Sequence, residues 1–407
     1  MRVLHTSDWH LGRLLYGKKR HHEFSAFLDW LLTQVTAQKV EVLLVAGDIF
    51  DTNTPGNQAQ QLYYGFLARL AATCCRHVVV IGGNHDSPSF LDAPQQLLKA
   101  LNVHVVGEAC ADPADEVIAL SQGDQLELLV CAVPYLRERD LRKVTEDEDM
   151  ADKEQKILQA VAGHYQAAVD HANTLRNGDD VPLVGMGHLF TTGGQLQEGD
   201  GVRDLYVGSL GQVPAHVFPA DLDYLALGHL HVPQLVAGKA HMRYCGSPVA
   251  MGFGEINQQK HVVLIEFDGR DAHIETLDIP VFQSKARLKG ELSELQAELQ
   301  ALVSAEADVW VEVEYEGEDN IQDLRQRLDA VVEDSKVSIL RVRNRSARRQ
   351  ALSRRMSEET LAELTPEDVF SRRLDASEVN ETERKRLTEL HQQILIELSE
   401  EDPHANS

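Results

Sequence analysis

The chain has 407 residues, too long for one ordinary domain and long enough for two or three with sizeable cores. Charged residues at 25% and hydrophobic ones at 43% exclude a mainly disordered chain, a collagen-like repeat and a disulfide-dense secreted module. With 39 Lys and Arg against 64 Asp and Glu the formal charge is -25, so a nucleic-acid partner has to be met by local basic patches, bound cations or a basic partner protein.

Residues 2–6 are a short β-rich run, and residues 23–38 show helical spacing through Phe24, Phe27, Leu28, Leu31 and Leu32. Residues 42–46 read as a continuous apolar strand, 58–72 as a helix and 78–81 as a second apolar strand. A helix over 93–101 precedes a strand at 103–106. Continuous apolar strands alternating with amphipathic helices imply a sheet covered on both faces. Further strands are predicted at 126–131, 182–186, 224–227, 241–244, 261–267 and 273–277, with a long helix over 154–174. This α/β core runs to about residue 280, where Pro280 marks a boundary.

Residues 281–343 then follow a compact α+β pattern, with strands at 281–288, 309–315 and 337–342 and helices at 292–302 and 321–332. A polar, arginine-rich stretch beginning at Arg341 reads as a solvated linker that carries the chain to residue 365. Residues 366–400 form a helical tail, in which Phe370, Leu374, Leu387, Leu390, Ile394 and Leu398 give two helices an apolar stripe without an evident internal partner. Five cysteines, Cys74, Cys75, Cys110, Cys131 and Cys245, contain no CxxC pair, which points to reduced thiols. Met1 and Arg2 lead directly into a strand, and no apolar run approaches ~20 residues. A cytoplasmic chain with no membrane partner is the expectation.

The chemistry-bearing residues stand at strand ends. They are Asp8-Trp9-His10, Gly47-Asp48-Ile49-Phe50-Asp51, Gly83-Asn84-His85-Asp86, Gly187-His188 and Gly228-His229-Leu230-His231. In open α/β folds such loops converge on one edge of the sheet. Carboxylate, imidazole and amide oxygen suit a pair of borderline-hard divalent ions. Alternation in DxH and HxH predicts an extended segment that sends both side chains to one face, which also turns Trp9 into the core. Taken singly, each motif is weak: DxH and GDxxD also describe turns, and GNHD a helix cap at Asp86 or Ser87. Their joint order is the signal.

That order, DxH, GDxxD, GNHD, GH and GHxH, resembles the calcineurin-like metallophosphoesterases. The runs HTSDWHLG, VAGDIFDT, GGNHDS, VRDLYVGSL and YCGSP are similar to its DNA double-strand-break nucleases. The resemblance implies a two-sheet α/β core, an α/β/β/α-type sandwich, with a small α+β capping domain and a C-terminal helical tail. It assigns one metal to Asp8, His10, Asp48 and His231, and the other to Asp48, Asn84, His188 and His229, with Asp48 bridging. His85 becomes the phosphate-contacting catalytic residue, Asp86 the group that orients it, and Asp51 a supporting residue. Two divalent ions, Mn²⁺ by family precedent, would polarise a phosphodiester and activate water.

The same resemblance implies exonuclease action on double-strand DNA ends and endonuclease action on hairpins, in repair, recombination and replication. A coiled-coil ATPase would be the partner, with two copies of each subunit in the complex. The tail run TPEDVFSRRL is similar to the segment that docks that ATPase. A calcineurin-like phosphatase is the alternative. Lys18-Lys19-Arg20-His21-His22, Arg137, Arg139 and Arg203 are open between DNA contacts and solvated surface. His164, His171 and His216 read as ordinary histidines.

Overall fold

The computed structural model describes residues 1–141, 150–191, 212–317, 321, 323–344 and scattered positions from 370 to 391. The run VRDLYVGSL with Arg203, the linker beyond Asn344 and most of the helical tail lie outside the described residues. Contacts divide the chain into two units, with the first ending at Phe282.

The first unit begins with β1 (Arg2–Thr6), a small hairpin of β2 (Leu14–Leu15) and β3 (Lys18–Lys19), α1 (His21–Ala37), β4 (Val42–Ala46), α2 (Asn57–Leu70) and β5 (His77–Ile81). Next come α3 (Pro88–Asp92), α4 (Gln95–Lys99), β6 (Val103–Val106), β7 (Val117–Gln122), β8 (Gln125–Ala132), α5 (Glu138–Leu141) and α6 (Met150–Arg176). It closes with β9 (Leu183–His188), β10 (Tyr224–Gly228), β11 (Gln234–Val236), β12 (Lys239–Tyr244), β13 (His261–Asp268) and β14 (Asp271–Asp278). The strands form two six-stranded sheets, β14-β13-β1-β4-β5-β6 and β11-β12-β10-β9-β8-β7.

The layering follows from which residues each strand buries. In β4 all five side chains are buried. Val42, Leu44 and Ala46 meet Val130, Val184, Met186 and Ala226 between the sheets. Leu43 and Val45 face the other way, onto Phe24, Phe27 and Leu31 of α1 and Phe66 and Leu67 of α2. On the second sheet Leu183, Leu225 and Leu227 pack under Ile157, Val161, Tyr165 and Ala168 of α6. The result is an α/β/β/α sandwich. At ~1.5–3 kcal/mol per fully buried large side chain, the contact of Phe24, Phe27 and Leu31 with the first sheet is what holds α1, whose N-cap Arg20 makes no side-chain cap.

Two local expectations change. The helix expected over 93–101 is present only as the shorter α4, which starts after its N-cap Pro94, and the separate helix α3 precedes it, since proline has no amide with which to continue α3. Strand β7 was not predicted; it is an edge strand whose burial is irregular, so it lacks the alternation that marks a half-buried strand.

The second unit is a parallel three-stranded sheet in the order β15 (Ser284–Gly290), β16 (Val309–Tyr315), β17 (Ser338–Asn344), with α7 (Leu292–Ser304) and α8 (Leu324–Val332) as its crossovers. Val311, Val313 and Tyr315 face Leu295, Leu299 and Leu328. On the opposite register Glu312, 1% exposed, takes Arg287 at 2.6 Å, Arg343 at 3.3 Å and Arg341 at 3.5 Å. Arg341 and Arg343 are thus strand residues neutralising a buried carboxylate, not the start of a solvated linker. Among the described tail positions Phe370 stacks on His391 at 3.9 Å between ring centroids. Leu374 is buried, and Leu387 and Leu390 are 37% and 54% exposed. Of the described stripe residues, then, Leu374 is covered and Leu387 and Leu390 are open; Ile394 and Leu398 lie outside the described residues.

Candidate metal centre

The parallel strands β1, β4 and β5 of one sheet and β9 and β10 of the other run toward a common edge, and five loops meet there. Two of those loops lie side by side: the amides of Asp8 and His10 donate to Gly47 O and Asp48 O, both at 3.0 Å. The donors converge by turning, not by strand alternation. Asp8, His10, Asp48 and His229 have φ of 53, 46, 50 and 102°, a left-handed backbone that non-glycine residues rarely take and that clusters at functional sites. The extended DxH and HxH segments expected from the sequence are therefore replaced by left-handed corners. Trp9 still points into the core, edge-on to Phe27 and Phe66. Glycine is required where loops cross: a Cβ at Gly83 would strike Asp48 Oδ1, and one at Gly228 would strike Ala46 O.

His10 Nε2 and His231 Nε2 lie 3.0 Å apart. Asp48 Oδ2 stands 3.5 Å from His10 Nε2 and 3.4 Å from His188 Nε2. His188 Nε2 is 3.0 Å from Asn84 Oδ1, and its Nδ1 donates to Ala46 O at 2.9 Å. The His229 ring is edge-on to His188 at 5.5 Å. Two groups of donor atoms, Asp8–His10–His231 and Asp8–Asp48–His188, each lie within 4.8 Å of one another. Asp8, His10, Asp48, His188, His229 and His231 are each no more than 2% exposed. All seven residues named from the sequence as ligands thus line one centre.

The donor set fits divalent cations on the structure's own terms. The buried His229 Nε2 has no hydrogen-bond partner among the described residues, and two imidazole nitrogens facing each other at 3.0 Å need a proton or cation between them. Burial raises the Asp8 carboxyl to about 6. Burial would also raise Asp48, but His188 and His85 outweigh it and hold that carboxyl well below its ordinary value. Burial works against protonation of His188, yet Asp48 and then Asp8 lift it to about 9. Burial, seconded by His188 for one and His10 for the other, keeps His229 and His231 well below the ordinary histidine value. At neutral pH these two present neutral nitrogens, the form that binds metal.

His85, 7% exposed, sits edge-on to His10 with ring centroids 4.8 Å apart. Its Nδ1 donates to Asp51 O at 2.8 Å, which fixes the tautomer so that Nε2 is the other ring nitrogen. This corrects the expected partner: Asp86 does not orient His85. The Asp86 carboxylate accepts from the amides of Phe50 at 2.9 Å, Gly83 at 2.9 Å and Ile49 at 3.1 Å, tying two ligand loops together. Nor does it cap the following helix, since Ser87 Oγ accepts from Phe90 N. Burial nonetheless raises Asp86 to about 6. Asp51 contributes its carbonyl to His85, and its carboxylate lies 3.4 Å from His10 Nδ1 and 3.3 Å from Arg13.

Of the basic run after the first loop, Lys18 and Lys19 are exposed on β3, whereas Arg20 is 1% exposed and bonds Glu23 and Ala250 O, both at 2.8 Å. Arg20 is thus closed to a nucleic acid. His164 pairs with the buried Glu116 at 2.8 Å. Arg139 is exposed beside Asp140, and Arg137 is 5% exposed.

Sequence reasoning missed Glu255 and Lys260. Lys260 Nζ donates to His231 O at 2.8 Å, to Ser247 Oγ at 3.2 Å and to Glu255 Oε2 at 2.5 Å, and Glu255 Oε1 lies 4.0 Å from His231 Nδ1. The available signal was two opposite charges closing the loop that leads into the apolar strand β13. Both are buried, so Lys260→Met should leave the buried Glu255 charge without its cation and cost about 3–5 kcal/mol. Urea unfolding should show most of that loss recovered in Lys260→Met with Glu255→Gln. A loss below about 1 kcal/mol in the single variant, the usual worth of an exposed pair, would refute the buried pair.

Residues 1–233 match the calcineurin-like phosphoesterase family, and residues 281–378 match a family described as the type 5 capsule protein repressor C-terminal domain. The chain is similar to the D subunit of the SbcCD nuclease of Escherichia coli, 39% identical over 98% of this chain and 99% of that protein. It is also similar to the proteins of that name from Rhodobacter capsulatus, 36% identical over 74% and 76%, and Bacillus subtilis, 36% identical over 65% and 66%. No helix among the described residues is long and apolar enough to cross a membrane.

Proposed function

The chain belongs to the calcineurin-like phosphoesterases, in the family of SbcCD nuclease D subunits, and from that premise we propose that this metal-dependent nuclease cleaves double-strand DNA ends as an exonuclease and DNA hairpins as an endonuclease. The observation that carries the reading is a similarity spanning 98% of the chain whose motifs meet in one buried donor cluster. In this reading Asp8, His10, Asp48 and His231 hold one ion and Asp48, Asn84, His188 and His229 the other. Both ions are Mn²⁺. Bound there, the pair supplies Lewis-acid polarisation of a phosphodiester and acidification of the attacking water. His85 Nε2 donates to the phosphate or to the departing oxygen, held for that by Asp51 O. Asp86 keeps the loops carrying Asp48 and Asn84 in register. Residues 1–280 are the nuclease domain, 281–343 the capping domain, 344–365 a linker and 366–400 the docking tail.

The partner is an SbcC-type coiled-coil ATPase, and two copies of each chain form a cytoplasmic complex acting in DNA repair, recombination and replication. Linear duplex, hairpin DNA and para-nitrophenyl phosphate assayed side by side with Mn²⁺, Mg²⁺ and Zn²⁺ test the reading. Faster turnover of the monoester than of either DNA would favour a phosphatase.

For the tail, the exposed Leu387 and Leu390 are better probes than Phe370, whose ring is stacked on His391. Leu387→Glu with Leu390→Glu should abolish capture of the ATPase in a pull-down, because a charge in an apolar groove is left without a partner, and should leave the melting temperature within about a degree. Parental capture would remove the docking role from these residues.

A further inference from the structure

The sequence leaves Arg137 and Arg139 equivalent, and the fold separates them. Arg139 is exposed, with Nε 3.7 Å from Asp140. Arg137 is 5% exposed, and its buried Nη1 has no hydrogen-bond partner among the described residues. Among the described residues no carboxylate pairs with it. Asp140, three residues on, meets only the Arg137 main chain: its Oδ2 accepts from the Arg137 amide at 2.9 Å, and its amide donates to Arg137 O at 3.0 Å. Arg20 shows the contrast, being buried as well but bonded to Glu23 and Ala250 O. A guanidinium cannot discharge itself by losing a proton, and burying a charge without a partner is costly. Such a cost is retained where a ligand brings the opposite charge.

The position of Arg137 says which ligand. Strand β8 runs parallel to β9, whose last residue is His188, so the segment past the end of β8 lies on the edge that carries the metal centre. Within it, Tyr135 N donates to Gly82 O at 2.9 Å, next to Gly83 and Asn84. Leu136, 1% exposed, anchors the segment in the core. We propose that Arg137 is an anion-binding residue of this edge that takes a backbone phosphate of the DNA strand beside the phosphate to be cleaved. This rests on the nuclease reading above. A planar fork of N–H donors matches phosphate oxygens bidentately, and in a chain of net charge -25 a local cation is what such a strand needs.

The test uses the full chain with Arg137→Met and Arg137→Lys. Duplex cleavage with Mn²⁺ at several salt concentrations should show KM raised about tenfold or more in Arg137→Met with kcat within about twofold, and a log–log salt slope shallower by about 0.9 for one lost phosphate contact. Arg137→Lys should recover part of the KM. Without DNA, Arg137→Met should melt no lower than the parent, since an unpaired buried charge has been removed, and inorganic phosphate should raise the parent's melting temperature more than the variant's. Parental KM and salt slope in Arg137→Met, with the parent active, overturn the proposal alone. So does a melting temperature several degrees lower with KM unchanged, which makes Arg137 structural, or weakened ATPase capture with KM unchanged, which makes it a protein contact. A parent that neither cleaves nor binds DNA overturns the nuclease reading and this proposal together.

Discussion

His85→Ala is expected to slow phosphodiester cleavage by about 10²–10⁴, the usual worth of a positioned acid or charge-stabilising group, while two ions per chain remain bound. The two effects separate because of how the loop is built. Asp48 Oδ1 is held by the His85 main-chain amide at 2.9 Å, and that bond survives removal of the imidazole. The ring itself is fixed by Asp51 O, outside both proposed ligand sets. Metal analysis by plasma emission beside a DNA cleavage assay makes the test. Cleavage near the parental rate, or the loss of an ion, would take His85 out of the role given to it. The second outcome is physically distinct, since His10, Asp51 and His85 also form a compact donor group.

Asp48→Asn should weaken both ions at once. Asp48 Oδ2 lies 3.5 Å from His10 Nε2 and 3.4 Å from His188 Nε2, one residue from each proposed ligand set, so a single substitution removes negative charge from both positions. The expected loss of Mn²⁺ affinity exceeds the ~10–100-fold that follows loss of an outer partner, and calorimetric titration should register it for both binding events. His10→Ala, by comparison, should damage one event more than the other. Two ions bound to Asp48→Asn as tightly as to the parent would assign the bridge elsewhere, and Asp8, which belongs to both compact donor groups, is the residue to examine next.

Residue types and their periods determined much of this protein from the sequence. Val42–Ala46 is apolar at every position because it is buried on both faces, between the sheets and under α1 and α2, and that is legible as an unbroken run. The motifs that carry the seven proposed ligands are legible because each follows a strand, their residue types suit one class of ion, and their joint order resembles one family's. Partners were not legible. Asp86 follows His85 in sequence yet binds amides at positions 49, 50 and 83. Arg20 sits in a basic run yet is closed into a buried ion pair. Glu255 and Lys260 look like loop charges yet support His231. Arg137 and Arg139 differ only in what surrounds them. Backbone period and ligand chemistry are local properties, carried by neighbouring residues. The counter-charge that a buried group finds, and the left-handed corners that let Asp8, His10, Asp48 and His229 meet, are settled only when loops from distant strands close on one another.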